Sequence, residues 1–312
     1  MTAQLTAVDE RTGSLAQRRR PAAIAGAQEL AMLVPALVLV GLFLILPFGL
    51  SCYIAMTNER LIPRPVPAKF VGLDNFVRIL SDSAFWNALL NVTEFTVLVV
   101  PVQCGLALAL AILLNGKLPF RNLFRGLFFL PAITSMVVVC VIWSTLFQYP
   151  TGPFNQILHV FTFGLAGPVD WLGNTTTAMP AIVLLSAWQA YGFQMVVYLA
   201  GLQQIDPTLY EAARMDGAGT WQRFWHVTMP GLRQTHVFAL IITTIQAFKL
   251  FTQVNILTQG GPRGATDTVV HYMFTAGFVD QKVGVASAVS IVLFVFVLGV
   301  SLVQRYVVRE RR

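Results

Sequence analysis

The sequence predicts an all-α fold: a polytopic membrane protein with six transmembrane helices and both termini in the cytoplasm. Three observations carry this expectation. Of 312 residues, 56% are hydrophobic and 11% charged, where an ordinary soluble domain has roughly 25% charged. So few charges cannot coat a globule of this size, and the apolar excess must face lipid. Six apolar stretches reach the roughly 20 residues that a helix needs to cross the hydrocarbon core. Lysine and arginine gather between alternate stretches, where they set orientation.

Residues 1–26 are polar and include the run Arg18-Arg19-Arg20-Pro21, which reads as a disordered cytoplasmic tail. A single transmembrane domain over 27–312 follows. Its first span covers Met32 to Ala55. It is too long for a signal peptide, and no small-residue cleavage site follows a short apolar core. The second span runs near Trp86 to Leu114, the third Leu123 to Phe147, the fourth Ala178 to Leu202. The fifth covers Gln234 to Leu257 and the sixth Val283 to Val303. Outer loops near 57–84 and 149–177 have room for short surface helices but not for a binding domain. With both ends inside, inner segments hold 14 Lys and Arg, outer loops 6, and Lys249 lies within a span. Trp86, Trp143 and Tyr306, near span ends, are expected as interface anchors.

The net charge of +7 does not point to nucleic acid, because the arginines sit at the ends of apolar runs, and no zinc-finger spacing or basic helix is present. Cys52, Cys104 and Cys140 lie far apart inside apolar runs, which suits small buried hydrophobes and not a disulfide framework or metal site. The four histidines are scattered without ligand spacing.

The inner loop over 203–233 is more than a connector. Asp206-Pro207 is a helix start, with a capping carboxylate and proline at the first position. Leu209, Ala212 and Ala213 give a small apolar face. Asp216-Gly217 ends the helix, since glycine takes the left-handed conformation that a sharp stop requires. A second short helix starts with Thr220 as its cap and carries Trp221, Phe224 and Trp225; Pro230 marks the approach to the fifth span. So short a helix is unstable alone, so it docks on a partner or rests on the lipid surface.

This loop resembles the EAA motif of ABC-importer permeases: Glu211-Ala212-Ala213, then Gly217, then Val227-Thr228-Met229-Pro230 at the family's spacing, with Met229 in place of leucine. The segments Phe70-Val71-Gly72-Leu73-Asp74-Asn75-Phe76, Arg125-Gly126-Leu127-Phe128-Phe129-Leu130-Pro131, Leu257-Thr258-Gln259-Gly260-Gly261-Pro262 and Gly284-Val285-Ala286-Ser287-Ala288 are similar to the maltose-type sugar branch.

The resemblance implies a type I importer permease fold and a bacterial plasma-membrane location. It also implies that the loop is a coupling helix seated in a cytoplasmic ATPase. Glu211 then meets a basic or hydrogen-bonding partner, Ala212 and Ala213 pack, Asp216 and Gly217 set the elbow, and Pro230 leads into the next span. Implied partners are a second homologous permease, two copies of the ATPase, and a periplasmic or lipid-anchored solute-binding protein. The chain itself needs no cofactor and is not an enzyme, because ATP belongs to the ATPase; the sequence has no Gly-x-x-x-x-Gly-Lys-Ser/Thr loop.

Polar groups within spans should face the bundle interior or a wet cavity. Ser186, Gln189 and Phe193 share one face of the fourth span. Thr243, Gln246, Leu250 and Gln253 repeat the pattern in the fifth, with Ala247 and Lys249 beside them. These residues are the candidate solute pathway; structural interhelical hydrogen bonds are the competing reading. In maltose-type relatives the equivalent region contributes to the sugar pocket, although Ala247 and Leu250 are poor hydrogen-bonders. Glu94 reaches interfacial water near the outer start of its span. Lys249 either snorkels or attracts an anionic solute such as glycerol 3-phosphate or a glycerophosphodiester. The competing function class, a secondary transporter without an ATPase, requires matched broken helices and mid-membrane coupling charges.

Overall fold

The computed structural model describes residues 32–62, 67–116, 119–165 and 167–309. The tail over 1–26, Arg64, Lys117, Arg311 and Arg312 lie outside the described residues. Among these, regular structure is helical apart from one isolated bridge, Thr57–Phe70. The chain divides into a unit ending at Leu50 and a unit from Ser51 onward.

The described part of the first unit is helix α1 (Met32–Ala55), which contains a π turn at Gly41–Ile45 and continues into the second unit. That unit holds α2 (Asp74–Leu80), α3 (Ser83–Asn115), α4 (Arg121–Ile133), α5 (Met136–Leu146), α6 (Pro153–Phe161) and α7 (Ala178–Gln203). It continues with α8 (Pro207–Met215), α9 (220–231), α10 (Arg233–Phe248), α11 (Thr252–Leu257), α12 (Val269–Val279) and α13 (Val283–Arg309). Among the described residues, five helices are long and apolar enough to cross a membrane, counting Arg233–Leu257 as one; the α4–α5 pair makes a sixth. The short surface helices expected in the outer loops are α2 and α6.

Three spans depart from the expected limits. The second begins at Ser83, because the Asp82 carboxylate accepts from the Ala84 N–H at 2.9 Å and caps the helix there. The third is not straight: α4 and α5 meet at 93°. Pro131 lacks the N–H that would continue the ladder, and Thr134 and Ser135 are extended, with ψ of 140° and 128°. The fifth breaks between α10 and α11, where Phe251 has φ −142° and ψ −60°. The carbonyl freed at Leu250 accepts from the Thr268 hydroxyl at 2.8 Å.

The main core joins α3, α7 and α10. Val99, Cys104, Ala107 and Ala111 meet Ile182, Met195 and Tyr198, with Ala239 and Ala247 filling between them. Small residues suit this packing, because lipid tails give apolar helices little hydrophobic reason to associate and close contact must supply the attraction. Gly192 makes the tightest approach to another helix's backbone along α7. A Cβ there would stand 2.5 Å from the Phe128 carbonyl oxygen, so α4 lies directly on its backbone. A second core packs α13 against α2, α3 and α12 through Ile79, Phe85, Val269, Ala288 and Val289.

Trp143 corrects the expectation of an interface anchor. It is 7% exposed and packed among Phe147, Phe154 and Trp188. Trp86 and Tyr306 are exposed. Cys104 and Cys140 are free and buried, and Cys52 is free and half-buried.

Candidate functional site

The first part of the site is the elbow over 203–233. The Asp206 carboxylate accepts from the Thr208 N–H at 2.9 Å. That backbone bond holds its pKa below the ordinary carboxylate value. Helix α8 then ends in a Schellman motif: the Gly217 N–H bonds the Arg214 carbonyl at 3.0 Å and the Ala218 N–H bonds the Ala213 carbonyl at 2.9 Å. Gly217 has φ +75°, the left-handed region where a Cβ is penalised. The second helix starts one residue earlier than expected. Its N-cap is Gly219, whose N–H bonds the Gln222 side chain at 2.8 Å, and Thr220 is the first helical residue.

Both ends of the elbow are clamped to the bundle. Ile205 and Leu232 are buried in the main core, and a Cβ on Gly231 would stand 2.8 Å from Ile205. The space beside Gly201 is filled by the Thr235 side chain. Within the elbow, the Tyr210 hydroxyl meets the Thr228 hydroxyl at 3.0 Å. Tyr210 and Val227 rest on the main core.

What remains is presented outward. Glu211, Ala212, Asp216, Gly217 and Pro230 are exposed. Leu209 is exposed as well, and Met215 is 89% exposed. Ala213 is half-buried on the inward side with Tyr210, so the outward apolar face is Leu209, Ala212 and Met215. Trp221, 70% exposed, stacks on Phe224 and meets Trp225 edge-on.

The second part is a cavity of about 390 Å3 between α3, α4, α5, α7 and the broken fifth span. Helical spacing builds each wall. Phe95, Val99 and Gln103 come from α3, and Ser186, Gln189, Ala190 and Phe193 from α7. Gln246, Lys249, Leu250 and Gln253 come from the fifth span. The α4–α5 bend contributes Phe129, Ala132 and Met136. Non-helical backbone at membrane depth survives where it lines a cavity or is buried in protein. Here Gln189 Nε2 donates to the Pro131 carbonyl at 3.3 Å. Gln253 Nε2 donates to Ser186 Oγ at 3.2 Å and ties two walls together.

Residues 103–312 match the family described as binding-protein-dependent transport system inner membrane component. The chain belongs to this family. The permease is 35% identical over 282 residues to the trehalose/maltose transport system permease protein MalF of Thermococcus litoralis, covering 90% of this chain and 93% of that one. It is 34% identical over 283 residues to the lactose transport system permease protein LacF of Rhizobium radiobacter, covering 89% and 93%. Its fold is similar to a crystal structure of a bacterial ABC transporter involved in the import of the acidic polysaccharide alginate. The TM-score is 0.74 at 24% identity, over 91% of this chain and 96% of that one. The permease is therefore a multi-pass plasma-membrane transport component.

Seven of the eight pathway candidates in the permease line one cavity: Ser186, Gln189, Phe193, Gln246, Lys249, Leu250 and Gln253. Thr243 does not. It is 1% exposed, accepts from Gln194 Nε2 at 3.1 Å, donates to the Ala239 carbonyl at 2.7 Å, and lies 3.7 Å from Cys104 Sγ. It locks α3, α7 and α10 together between the cavity and the elbow. Its i, i+3 relation to Gln246 predicted the wrong surface because a threonine hydroxyl can turn back onto its own helix. The sequence reasoning also missed Gln103, Phe95 and the α4–α5 bend. Pro131 was a readable sign of the bend; nothing in one sequence points α3 at the cavity.

Proposed function

We propose that this permease is one membrane half of an ATP-driven importer for a carbohydrate handed over by an extracytoplasmic binding protein. A second homologous permease and two ATPase subunits complete the complex, both termini lie in the cytoplasm, and the elbow is the ATPase docking element. The observation that carries this reading is continuity. One helix, α7, lines the cavity with Phe193 and ends at Gln203, where the elbow begins, roughly 15 Å further at the α-helical rise. The fifth span starts where the elbow ends and lines the opposite wall.

The physical role follows from the clamps. The bonds at 201–205 and 228–235 make the elbow a stiff extension of two spans, so a push on α8 becomes a tilt of the cavity walls. The outward face of Leu209, Ala212 and Met215 packs in an ATPase groove, and Glu211 pairs with a donor there. Nucleotide binding and solute occupancy then bias the same two-state element. Gln and Ser side chains with three phenylalanines around the cavity suit a solute of hydroxyls and apolar ring faces. Relatives named for trehalose, maltose and lactose support a sugar over a glycerol phosphate ester.

Gly217→Val tests the coupling role. No atom of this chain lies within 4 Å of a Cβ placed there, so within the permease it acts through the left-handed backbone, at about 1–2 kcal/mol for an L-residue. Uptake and co-purification of the ATPase should be lost while membrane insertion persists. Normal uptake by this variant would remove the elbow from the mechanism.

A further inference from the structure

We infer that the cavity selects a carbohydrate bearing a carboxylate, a uronate-containing oligosaccharide, with Lys249 as its counter-charge. The inference rests on the carbohydrate reading above. Lys249 is the one charged side chain in the lining, and no carboxylate accompanies it. Its ammonium has no hydrogen-bond or ion-pair partner among the described residues. A cation within a span is costly and is kept where it meets water or an anion. Lys249 is the C-cap of α10, where a cation is favoured by the helix dipole. Yet its side chain makes no bond to the helix carbonyls, so capping does not account for it. Glu94 precedes Phe95 on α3 but does not line the cavity or pair with Lys249.

Gln103 supplies an independent observation from a different helix. It is 4% exposed, lines the cavity, and its Nε2 is buried without an acceptor. A buried donor left open needs a partner. By contrast, Gln189 and Gln253 already donate to Pro131 and Ser186, which leaves their carbonyl oxygens for sugar hydroxyls. The cavity therefore offers an ammonium to an anionic group and amide oxygens to hydroxyls, with the open Gln103 donor buried behind its wall. A neutral sugar offers only uncharged hydroxyl and ether oxygens, whereas a carboxylate is an anionic acceptor, and its bond to Lys249 is charge-assisted.

The test is equilibrium binding to the assembled importer in lipid nanodiscs without the binding protein, whose own selectivity would otherwise filter the solute. The probes are trigalacturonate and triglucuronate, the methyl ester of each, and glycerol 3-phosphate. The acid should bind at least tenfold tighter than its ester at low salt. That preference should vanish in Lys249→Gln and persist in Lys249→Arg, with the thermal midpoint unchanged. If Lys249→Gln fails to assemble, the wild-type preference should still shrink as ionic strength rises. Equal binding of acid and ester, or a preference that survives Lys249→Gln, overturns the charge role of Lys249. Tighter binding of glycerol 3-phosphate than of either uronate overturns the carboxylate class. Binding of no sugar in either form overturns the carbohydrate reading itself, a separate failure.

Discussion

Thr243 and Gln253 sit ten positions apart on the fifth span and do different work. Gln253 bonds Ser186 on the cavity wall, whereas Thr243 holds Gln194 and the Ala239 carbonyl inside the core. Thr243→Val keeps the shape but leaves the Gln194 amide unpaired, and should cost about 1–2 kcal/mol. A lower thermal midpoint with unaltered solute affinity is expected; lost affinity at an unchanged midpoint would return Thr243 to the pathway. Gly192→Val should do the reverse to the architecture, driving α4 off α7 and abolishing solute binding, because the side chain meets backbone that cannot rotate away. Wild-type binding would mean that the α4–α7 contact does not shape the cavity. Sequence spacing located the cavity-facing side of α7 and α10, since period alone sets which residues share a face. It left open whether a polar side chain on that face bonds outward or back onto its neighbours.

Among elements, the elbow was the most legible from sequence, because its signals are local: an Asp-Pro start, a left-handed glycine stop, and a fixed distance to Pro230. The packing of its inner side was not legible, and Ala213 turned inward with Tyr210. The Asp206 cap gives a pH signature. Its carboxyl is held below the ordinary value by the Thr208 N–H, so the cap contributes fully above that ordinary value. It is lost as pH falls through the depressed one. Protection of the amides over 208–215, relative to their intrinsic exchange rates, should therefore persist through the mildly acidic range and fall only below the usual carboxylate range. In Asp206→Asn the acid transition should disappear. An unchanged transition in that variant would assign the pH response elsewhere. The α4–α5 bend shows the opposite case. Apolarity over Leu123–Phe147 reads as one straight span, and two extended residues after Pro131 change its direction by 93°.

For the whole molecule, composition and six apolar stretches were enough to give a polytopic helical fold, because lipid forces every backbone group to be satisfied within the segment. The way α3, α7 and the fifth span converge on one cavity rests on long-range packing of small residues, which no local pattern encodes. In the proposed mechanism, function depends on the stiffness between that cavity and the elbow. The most direct measurement is bifunctional cross-linking from a cysteine placed at Met215, an outward-facing position of α8 that is 89% exposed, in the assembled importer. A cytoplasmic lever gives a product with the ATPase subunit whose yield changes when ATP is added. No ATPase product, together with labelling of the same cysteine by an impermeant maleimide outside intact cells, would contradict the lever.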